Sequence, residues 1–473
     1  MAEKESRTGT SSEQSRPKKI FNDPVHGHIE MHPLLVKIID TPEFQRLRNL
    51  KQLGAGYFVF PGASHNRFEH SIGVSHLAGK LVQSLKDHQS DLELTEEHVL
   101  CAQIAGLCHD LGHGPFSHLF ETFMKMCKIE WKHEKQSIAI FRDLIKNNGL
   151  KEEMEKTFKL DITLIEEMIY PEDKRKRNPK FYYLYEIVSN ETTGIDVDKM
   201  DYFSRDCHHL GMKSDFSHER YMMFARVLKN ENGEMHICMR DKEALNMYKL
   251  FNIRTLLHHS AYQHRVVKAI EIMMVDALIA ANTNGRFSNA HTKLKEYLKL
   301  TDYILQDIQN SSSNDENIKK AQNIIERITN RDLYKFIGDE IFEKETLQHL
   351  KAPEDYQTKL ATWLKRLKNE EIMNQKDEFQ AVPIEFNYGK KEKNPLQFLQ
   401  FYKKDEPDKA FSLDREKVSY LLPSKFAEMK VMLFYKGKDI NIEKTAKEHC
   451  ANFWEVLKEK EAYEPAKKKK RTN

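Results

Sequence analysis

Apolar residues recur at helical spacing through most of the first 370 residues, with polar residues between the repeats. The period predicts helices at residues 33–39, 42–51, 71–85, 96–108, 133–147, 164–168, 184–189, 242–282 and 317–328. Asp-Pro and His-Gly steps between Phe21 and Ile29 predict a turn beside a short strand. This part of the chain is therefore expected to be mainly α-helical.

The pattern changes beyond about residue 375, where alternating apolar and polar positions predict strands at 379–388, 396–402 and 431–435. Helices are expected at 424–430 and 442–460. We therefore divide the chain into a mainly helical domain at 19–370 and a smaller α+β region at 371–460. Residues 1–18 are almost free of apolar side chains and are expected to be a disordered tail, and residues 461–473 form a basic tail.

Composition narrows the class of protein. The chain has 473 residues, of which 40% are hydrophobic and 31% charged, as is usual for soluble globular proteins. The net charge of +3 does not mark a nucleic-acid binder. Six cysteines without C-x-x-C spacing argue against a zinc ribbon or disulfide framework and favour a reducing, intracellular compartment. No run reaches the ~18 apolar residues of a membrane span, so no membrane partner is expected.

The strongest chemical signal is the pair His109-Asp110, which follows an apolar run typical of a buried helix. Gly112 and Gly114 break that helix, and Pro115 suits the first turn of the next one. A His-Asp pair alone arises by chance about once or twice in a chain of this composition, so the surrounding bend decides its weight. The bend presents four side chains that suit zinc, iron or manganese: His109, Asp110, His113 and His118.

Two further stretches carry candidate chemistry. Arg67 and His70 lie one turn apart near the start of a predicted helix, where a cation and the helix N-terminus favour phosphate. Asp198, Tyr202 and Asp206 share one face of another predicted helix, since they follow at i, i+4 and i+8.

The Asp198 carboxylate would complete a metal set with His70, His109 and Asp110. Lys199 and Arg205 beside it would hold phosphate oxygens. A satisfied core histidine at position 70 and a solvated acidic face around position 198 are the plainer alternatives.

The order His…His-Asp…Asp is the signature of the HD-domain metal-dependent phosphohydrolases. Longer stretches, at 22–30, 60–70, 105–118, 196–199, 206–211 and 261–264, resemble the SAM and HD domain-containing deoxynucleoside triphosphate triphosphohydrolases of animals. The resemblance runs from about residue 19 to about residue 460. It implies a helical HD-domain core with a C-terminal α+β region for regulation and oligomerisation. It also implies an enzyme that converts a dNTP and water into deoxynucleoside and inorganic triphosphate, and hence roles in dNTP catabolism, antiviral defence and innate immunity.

The same resemblance implies a role for each matching residue. One transition metal (iron, manganese or zinc) would be held by His70, His109, Asp110 and Asp198. Proton transfer and transition-state charge would fall to His113, His118 and His133, with Glu121 orienting His118 from one turn away. Arg67 would hold the α-phosphate. The remaining substrate contacts would come from Gln52, Leu53, Lys199, Tyr202, Asp206, Arg254, His258, Tyr262 and Gln263, with Tyr262 leaving no room for a ribose 2′-hydroxyl.

Allosteric activation is implied as well, by GTP or dGTP at one site and a dNTP at a second, bridged by Mg²⁺, in a homotetramer. The guanine-nucleotide site matches Lys19, Ile20, Asp40, Gln45 and Arg48, with Arg331 and Lys335 from a neighbouring subunit. The second site matches Arg220, Arg240, Lys242, Asn246, His264, Arg265 and Lys404. Arg48 and Asp40 also have a plain interpretation as a surface ion pair worth about 0–1 kcal/mol.

The chain departs from the family pattern at several positions. Glu121 stands where the family has Asp, which puts the rate in doubt. Ser217 and Ser260 replace Asp and Arg beside the second activator, so base selection or activation is expected to weaken. We expect no SAM domain, a shorter loop at 171–180, and no Thr-Pro phosphorylation site after the C-terminal region. The basic cluster at 467–471 suggests a nuclear location, with the cytoplasm as a second one, although a solvated tail is equally compatible.

Two other functions stay open at this point. A metal-dependent nuclease or a binder of single-stranded nucleic acid is supported by the basic stretches at 171–180, 390–393 and 467–471, but these lack interleaved aromatic residues. A catalytically silent nucleotide-binding relative is disfavoured, because the four proposed ligands and the three histidines are all present.

Overall fold

A computed structural model describes residues 18–171 and 178–460. Almost all of the predicted N-terminal tail, most of the charged loop at 171–180 and the whole basic tail at 461–473 lie outside these described residues. The nuclear location depends on the basic tail and stays a prediction.

Helices make up most of the described chain, which confirms the predicted fold class. In chain order they are α1 (Pro33–Ile39), α2 (Pro42–Gln45), α3 (Arg67–His88), α4 (Glu96–Cys108), α5 (His118–Met126), α6 (His133–Asn147), α7 (Leu150–Glu152), α8 (Ile162–Ile169), α9 (Tyr185–Val188), α10 (Val197–Leu210), α11 (His218–Phe224), α12 (Ala244–Leu257), α13 (Arg265–Ala281), α14 (Leu294–Tyr297), α15 (Ile304–Gln309), α16 (Glu316–Thr329), α17 (Pro353–Arg366), α18 (Glu370–Asn374), α19 (Arg415–Val418) and α20 (Ile440–Lys458).

Several predicted helices have the observed bounds, namely α1, α4 and α6. Helix α3 begins four residues before the predicted start, because Asn66 precedes it and the Asn66 N–H donates to the Glu69 carboxylate at 2.7 Å. This contact satisfies a backbone group at the helix start. The prediction of one helix at 242–282 is wrong: a π-helical turn at His258–Tyr262 separates α12 from α13. The apolar period continues through this break, so periodicity alone did not reveal it.

The strands form three small sheets among the described residues. They are β1 (Lys19–Asp23), β2 (Gly27–Met31), β3 (Ala225–Lys229), β4 (Met235–Arg240), β5 (Lys335–Glu343), β6 (Phe379–Asn387), β7 (Phe401–Tyr402) and β8 (Ala427–Tyr435). β1 and β2 form an antiparallel hairpin, β4 lies between β3 and β7, and β8 lies antiparallel between β5 and β6.

Two predictions for the C-terminal part are wrong. The helix predicted at 424–430 belongs largely to β8, and the strand predicted at 396–402 is a 3₁₀ turn, Pro395–Phe398, followed by the two-residue β7. The β8 segment contains helix-favouring residues, but pairing with a neighbour on each side overrides their propensity.

Two large hydrophobic cores organise the described chain. The first includes most of α1–α16, with α3 packed against α4 and α10. The second surrounds the buried Trp363 and takes residues from β5, α17, α18, β6, β8 and α20. Its members begin at Ile337, and the division at residue 370 stays a prediction. None of the helices in the described ranges is both long enough and apolar enough to span a bilayer.

A cluster of three histidines lies where the β1–β2 turn meets α3 and the start of α11. The His26 ring centroid is 5.8 Å from that of His76 and 5.4 Å from that of His218. Burial, Lys80 and His26 lower the pKa of His76 to about 4. Burial and His26 likewise lower the pKa of His218 to about 4, against the opposing effect of Glu219. The folded protein therefore holds both imidazoles neutral.

We expect the free energy of unfolding to fall as the pH drops from about 6.5 to about 4. In this window the unfolded chain binds protons that the folded protein resists, and above it the contribution is complete. Each imidazole adds at most about 1.4 kcal/mol per pH unit, and less where it is partly exposed. Urea unfolding of His218→Gln should show a shallower pH slope than wild type. The exposed His28 offers the control His28→Gln, and equal slopes for wild type and His218→Gln would contradict the assignment.

Candidate active site

The four predicted metal ligands converge from α3, the end of α4 and the start of α10. His70 Nε2 lies 3.1 Å from Asp198 Oδ1 and 3.4 Å from Asp110 Oδ2. His109 Nε2 lies 3.4 Å from Asp198 Oδ1 and 3.4 Å from Asp110 Oδ1. One ligand atom from each of His70, His109 and Asp198 falls within 4.8 Å of the others. Residues that are up to 128 positions apart in the chain thus meet around one point.

The imidazoles are oriented for a cation. His70 Nδ1 is bonded to Asp201 Oδ2 at 2.8 Å, and His109 Nδ1 donates to the Gly106 carbonyl at 2.7 Å. Each bond leaves Nε2 as the free lone pair, as in metal-ligating histidines. Both Nε2 atoms are buried and, within the described residues, neither has a hydrogen-bond partner. Two unpartnered imidazole nitrogens and two carboxylates fit one divalent metal ion.

Electrostatics support this fit. Burial alone would raise the pKa of both Asp110 and Asp198. Arg67, His109 and His113 hold the pKa of the Asp110 carboxyl well below its usual range, and His109 and His70 do the same for Asp198. Burial disfavours the charged form of His70, yet the neighbouring carboxylates raise its pKa well above the ordinary value. The site therefore favours positive charge at its centre, and a divalent cation would take the place of the proton.

A second group of metal-capable side chains, Asp110, His113 and His133, lies beside the first. Its geometry does not suit a shared ion, because the His113 and His133 rings are stacked with centroids 3.8 Å apart and planes 21° apart. An ion about 2.1 Å from a nitrogen of each ring would have to lie in both ring planes, which nearly parallel rings exclude unless one rotates. We interpret this group as one that moves protons.

Glu121 completes the second group. Its Oε1 is 2.5 Å from His133 Nδ1 and 3.3 Å from His118 Nδ1. Burial would raise the pKa of Glu121, but the two imidazoles lower it well below its usual range. Burial, Arg67 and His133 lower the pKa of His113, so that imidazole is neutral. His118 is the member with an exposed side chain.

The backbone of the bend after α4 is held by buried side chains on both sides. Arg46 donates to the carbonyls of Leu111 and His113 at 3.3 and 2.8 Å. Tyr297 donates to the Gly112 carbonyl at 2.6 Å, and Asp302 accepts from the Phe116 N–H at 2.6 Å. These contacts fix where the bend presents its histidines.

Ser117 continues the bend with a φ of 60°, a conformation that costs free energy for a residue other than glycine. Its hydroxyl donates to the Lys51 carbonyl at 2.7 Å and accepts from Arg67 Nε at 2.8 Å. Arg67 also pairs with Asp110. The strained turn is therefore tied to the predicted α-phosphate ligand.

Members of both metal-capable groups, together with Arg67, border a cavity of about 540 Å³. The predicted site residues that line it are Gln52, Leu53, Arg67, Asp110, His113, His118, His133, Asp198, Tyr202, Asp206, Arg254, His258, Tyr262 and Gln263. Burial, Arg254 and His118 lower the pKa of His258 to about 3. Burial raises the pKa of Tyr202 to about 12. Both side chains are thus neutral near pH 7.

Helix α10 carries two buried and paired side chains, Asp206 and Arg205, at positions for which the sequence allowed other interpretations. The acidic face is not a solvated one, since Asp206 is buried and its carboxylate accepts from Tyr262 and from His65 Nε2, the latter at 2.7 Å. The expectation that Arg205 holds phosphate is wrong, because Arg205 is fully buried and pairs with Asp201 and Asp23. Lys199 is held by Asp196 at 2.7 Å, and Asp196 and Tyr202 keep its pKa raised despite burial.

The residues predicted for the guanine-nucleotide site lie outside this cavity. Lys19, Ile20, Asp40 and Arg48 are exposed. Gln45 donates to the Ile39 carbonyl at 2.7 Å and accepts from Arg48 Nε at 2.8 Å. The predicted ion pair is wrong: in the described part of the chain Arg48 does not pair with Asp40, and its guanidinium lies 3.5 Å from the Phe68 ring centroid.

The residues predicted for the second activator site form two groups. Arg220 pairs with the buried Glu243, and Asn246 exchanges two hydrogen bonds of 3.1 Å with the Ser217 backbone. Arg265 lines a 350 Å³ cavity together with Arg331 and Lys335. The remaining predicted residues belong to neither group. Arg240 pairs with Asp241, and the Lys242 ammonium lies over the Phe224 ring. His264 precedes the first residue of α13, and Lys404 is exposed.

Sequence reasoning missed two contacts of the site, Asp201 with His70 and His65 with Asp206. Asp201 follows Asp198 by three residues, which was the available signal. His65 lies in the stretch 60–70 that resembles the family, but its spacing does not distinguish it from other histidines.

Comparison with known proteins agrees with this geometry. The HD domain family matches residues 67–206, a range that contains all four proposed ligands. The deoxynucleoside triphosphate triphosphohydrolase SAMHD1 of Xenopus laevis is 44% identical over 471 residues, covering 91% of this chain and 73% of that protein. The human SAMHD1 is 44% identical over 452 residues (89% and 71%), and the SAMHD1 homolog of Dictyostelium discoideum is 36% identical over 432 residues (91% and 80%).

The fold and the ligand set thus define an HD-domain protein. An identity of 44% over most of both chains also shows to which family of HD-domain proteins the chain belongs. The chain belongs to the SAMHD1 family of deoxynucleoside triphosphate triphosphohydrolases.

Substitutions at His109 and His133 test which of the two metal-capable groups binds the ion. We expect His109→Gln to weaken Mn²⁺ binding by more than the roughly 10–100-fold that loss of a supporting residue costs, because it removes a ligand. His133→Gln should bind Mn²⁺ as wild type does, since the stacked cluster is not the metal site. Calorimetric titration of metal-free protein measures both affinities. Equal losses in the two variants would contradict the assignment.

Proposed function

We propose that this protein hydrolyses dNTPs to deoxynucleoside and inorganic triphosphate at the 540 Å³ cavity. The observation that carries the proposal is the His-Asp ligand set at the wall of a cavity that Arg67 and Arg254 also line. The volume suits a nucleotide, and the guanidinium groups suit phosphate oxygens. A divalent cation held by the four ligands would supply Lewis-acid activation of water near neutral pH.

The protein's own groups would orient the triphosphate. Arg67 is preoriented by Ser117 and Asp110, so its guanidinium reaches the α-phosphate without losing further side-chain freedom. Arg254 Nη1 lies 3.5 Å from the Tyr202 hydroxyl, and together with Lys199 these groups would bind the outer phosphates. Positive charge is thereby placed around the triphosphate, whose α-phosphorus is attacked.

The opposite side of the cavity would select the sugar. Tyr262 donates to Asp206, which fixes the phenol ring at the cavity wall. A ring held there would leave no room for a 2′-hydroxyl and would thereby favour deoxyribose. Gln52, Leu53 and Gln263 border the same space and would contact the sugar.

Proton transfer would involve His118 and His133, which share the Glu121 carboxylate. His118 is exposed to the cavity and oriented by Glu121, so it is placed to protonate the departing 5′-oxygen. His133 shares the same carboxylate and stacks on the neutral His113. His118 and His133 would receive and return protons, while the buried His113 stays neutral.

We further propose activation by GTP or dGTP and a dNTP, with Mg²⁺, through assembly of a homotetramer. Support comes from the 350 Å³ cavity, where Arg265, Arg331, Lys335 and Lys447 present four cations against one acid, Glu443. Such a surface suits the polyphosphate of a nucleotide. Arg220 would have to exchange its buried partner Glu243 for phosphate, and Ser217 and Ser260 offer no charge to the second activator's base.

Incubation with dATP, GTP and Mg²⁺ or Mn²⁺ is expected to yield deoxyadenosine and triphosphate, resolved by chromatography. Asp198→Ala should abolish the products because it removes a ligand of the cation. Asp307→Ala, a change at an exposed carboxylate on α15, should leave them unchanged. Degradation of an oligonucleotide with dNTPs untouched would overturn the proposal in favour of a nuclease.

Assembly has its own measurement. Sedimentation velocity should show about a fourfold increase in mass when GTP and dATP are both present. Arg331→Ala should reduce this shift, because it removes a cation from the 350 Å³ cavity. Lys365→Ala removes an exposed cation from α17 and is the control. An unchanged mass with nucleotides present would rule out activation through assembly.

A further inference from the structure

Asp201 lies on α10, one turn after Asp198, and is fully inaccessible to solvent. Both of its oxygens are occupied by donors. Oδ1 lies 2.7 Å from His26 Nε2 and 2.8 Å from Arg205 Nη2, and Oδ2 lies 2.8 Å from His70 Nδ1 and 2.9 Å from Arg205 Nε. Four contacts to one carboxylate fix it in a single orientation.

The contact with His70 has a chemical consequence. A carboxylate at Nδ1 keeps the proton on that nitrogen and leaves the Nε2 lone pair facing Asp110 and Asp198. The same bond prevents the ring from rotating about its Cβ–Cγ bond. His70 is fully buried, and within the described residues its Nε2 makes no hydrogen bond that could orient the ring instead.

Asp201 is itself anchored to the β1–β2 turn. Arg205 Nη1 donates to Asp23 Oδ2 at 2.8 Å, and Asp23 Oδ1 accepts from the backbone N–H groups of Val25 and His26, each at 2.8 Å. His26 then returns to Asp201 through its side chain. The turn, Asp201 and the ligand His70 therefore form one continuous buried network.

The packing of α3 against α10 reserves the space for this network. A Cβ atom at Gly73 would lie 1.9 Å from Asp201 Oδ1 and 2.5 Å from Arg205 Nη2. Position 73 is one turn after His70 on the same helix, so only a residue without a side chain lets the carboxylate reach the ligand.

We propose that Asp201 is a positioning residue that orients His70 for the metal, and that His26 and Arg205 hold Asp201 in place from the β1–β2 turn. The inference rests on the metal-binding part of the proposed function. It extends that part to Asp201, His26 and Arg205, none of which lines the 540 Å³ cavity. It concerns the affinity of the site for a cation, and that affinity is measurable without turnover.

The test compares Mn²⁺ affinity of metal-free full-length protein by electron paramagnetic resonance of free Mn²⁺. Asp201→Asn retains the shape but turns an NH₂ group towards a donor of Arg205 in either orientation. We expect it to bind Mn²⁺ about 10–100-fold more weakly, as for other groups that support a metal ligand. Glu186→Gln is the matched control, because the buried Glu186 holds His236 Nδ1 at 2.7 Å in a pair without a metal ligand. It should bind Mn²⁺ as wild type does.

Unchanged Mn²⁺ affinity in a folded Asp201→Asn protein would overturn the inference, as would an equal loss in Glu186→Gln. If circular dichroism shows that Asp201→Asn does not fold, His26→Gln decides, since it removes one of the four contacts. A several-fold loss is then expected, and wild-type affinity would overturn the inference. Should wild type bind Mn²⁺ in an Asp201-dependent way yet fail to hydrolyse dATP, the proposed function fails and the positioning role stands.

Discussion

The concentration of unpartnered metal-binding atoms at one buried point is the constraint on which the rest of this structure depends. Two buried imidazole nitrogens without hydrogen-bond partners face two carboxylates at the wall of the 540 Å³ cavity. Buried polar atoms without partners are costly, so the set favours positive charge at its centre. The glycines at 73 and 106 let α3 approach α10 and α4 closely enough to bring the ligands together.

The buried charges around this point alternate in sign. Asp23 faces Arg205, Arg205 faces Asp201, and Asp201 faces the His70 ring. On the far side of the ligand set, Asp110 faces Arg67, which also belongs to the cavity wall. Each buried charge thus has an opposite neighbour, a condition under which burial of ionic groups is tolerated. A cation in the centre would continue the alternation.

The sequence predicted the parts of this arrangement that have a local signal. The helix carrying His109 has the predicted bounds, and the bend after it follows from Gly112 and Gly114. The face shared by Asp198, Tyr202 and Asp206 follows from helical spacing, and all three residues border one cavity. The residue types made convergence of the three segments one hypothesis among several, and the family resemblance selected it, because spacing along a chain does not say which helices pack together.

What the sequence did not show depends on contacts between distant segments. Arg205 looked like a phosphate ligand since its partners lie 182 residues away at Asp23 and one turn away at Asp201. The break between α12 and α13 has no glycine or proline to mark it. The strand β8 was read as a helix at its start, because its pairing with β5 and β6 is not visible in local propensity.

The glutamate at position 121 illustrates how a departure from a family pattern depends on its surroundings. A longer side chain on α5 extends from the helix that begins with His118 to the first residue of α6, His133. One oxygen lies within 2.5 Å of His133 and 3.3 Å of His118, so a single carboxylate orients both imidazoles. Its low pKa keeps it ionised at any pH near neutrality, and it can therefore stabilise positive charge on either ring. The extra methylene is used to span the gap between two helices, and the requirement on this residue is its reach to both rings as well as its charge.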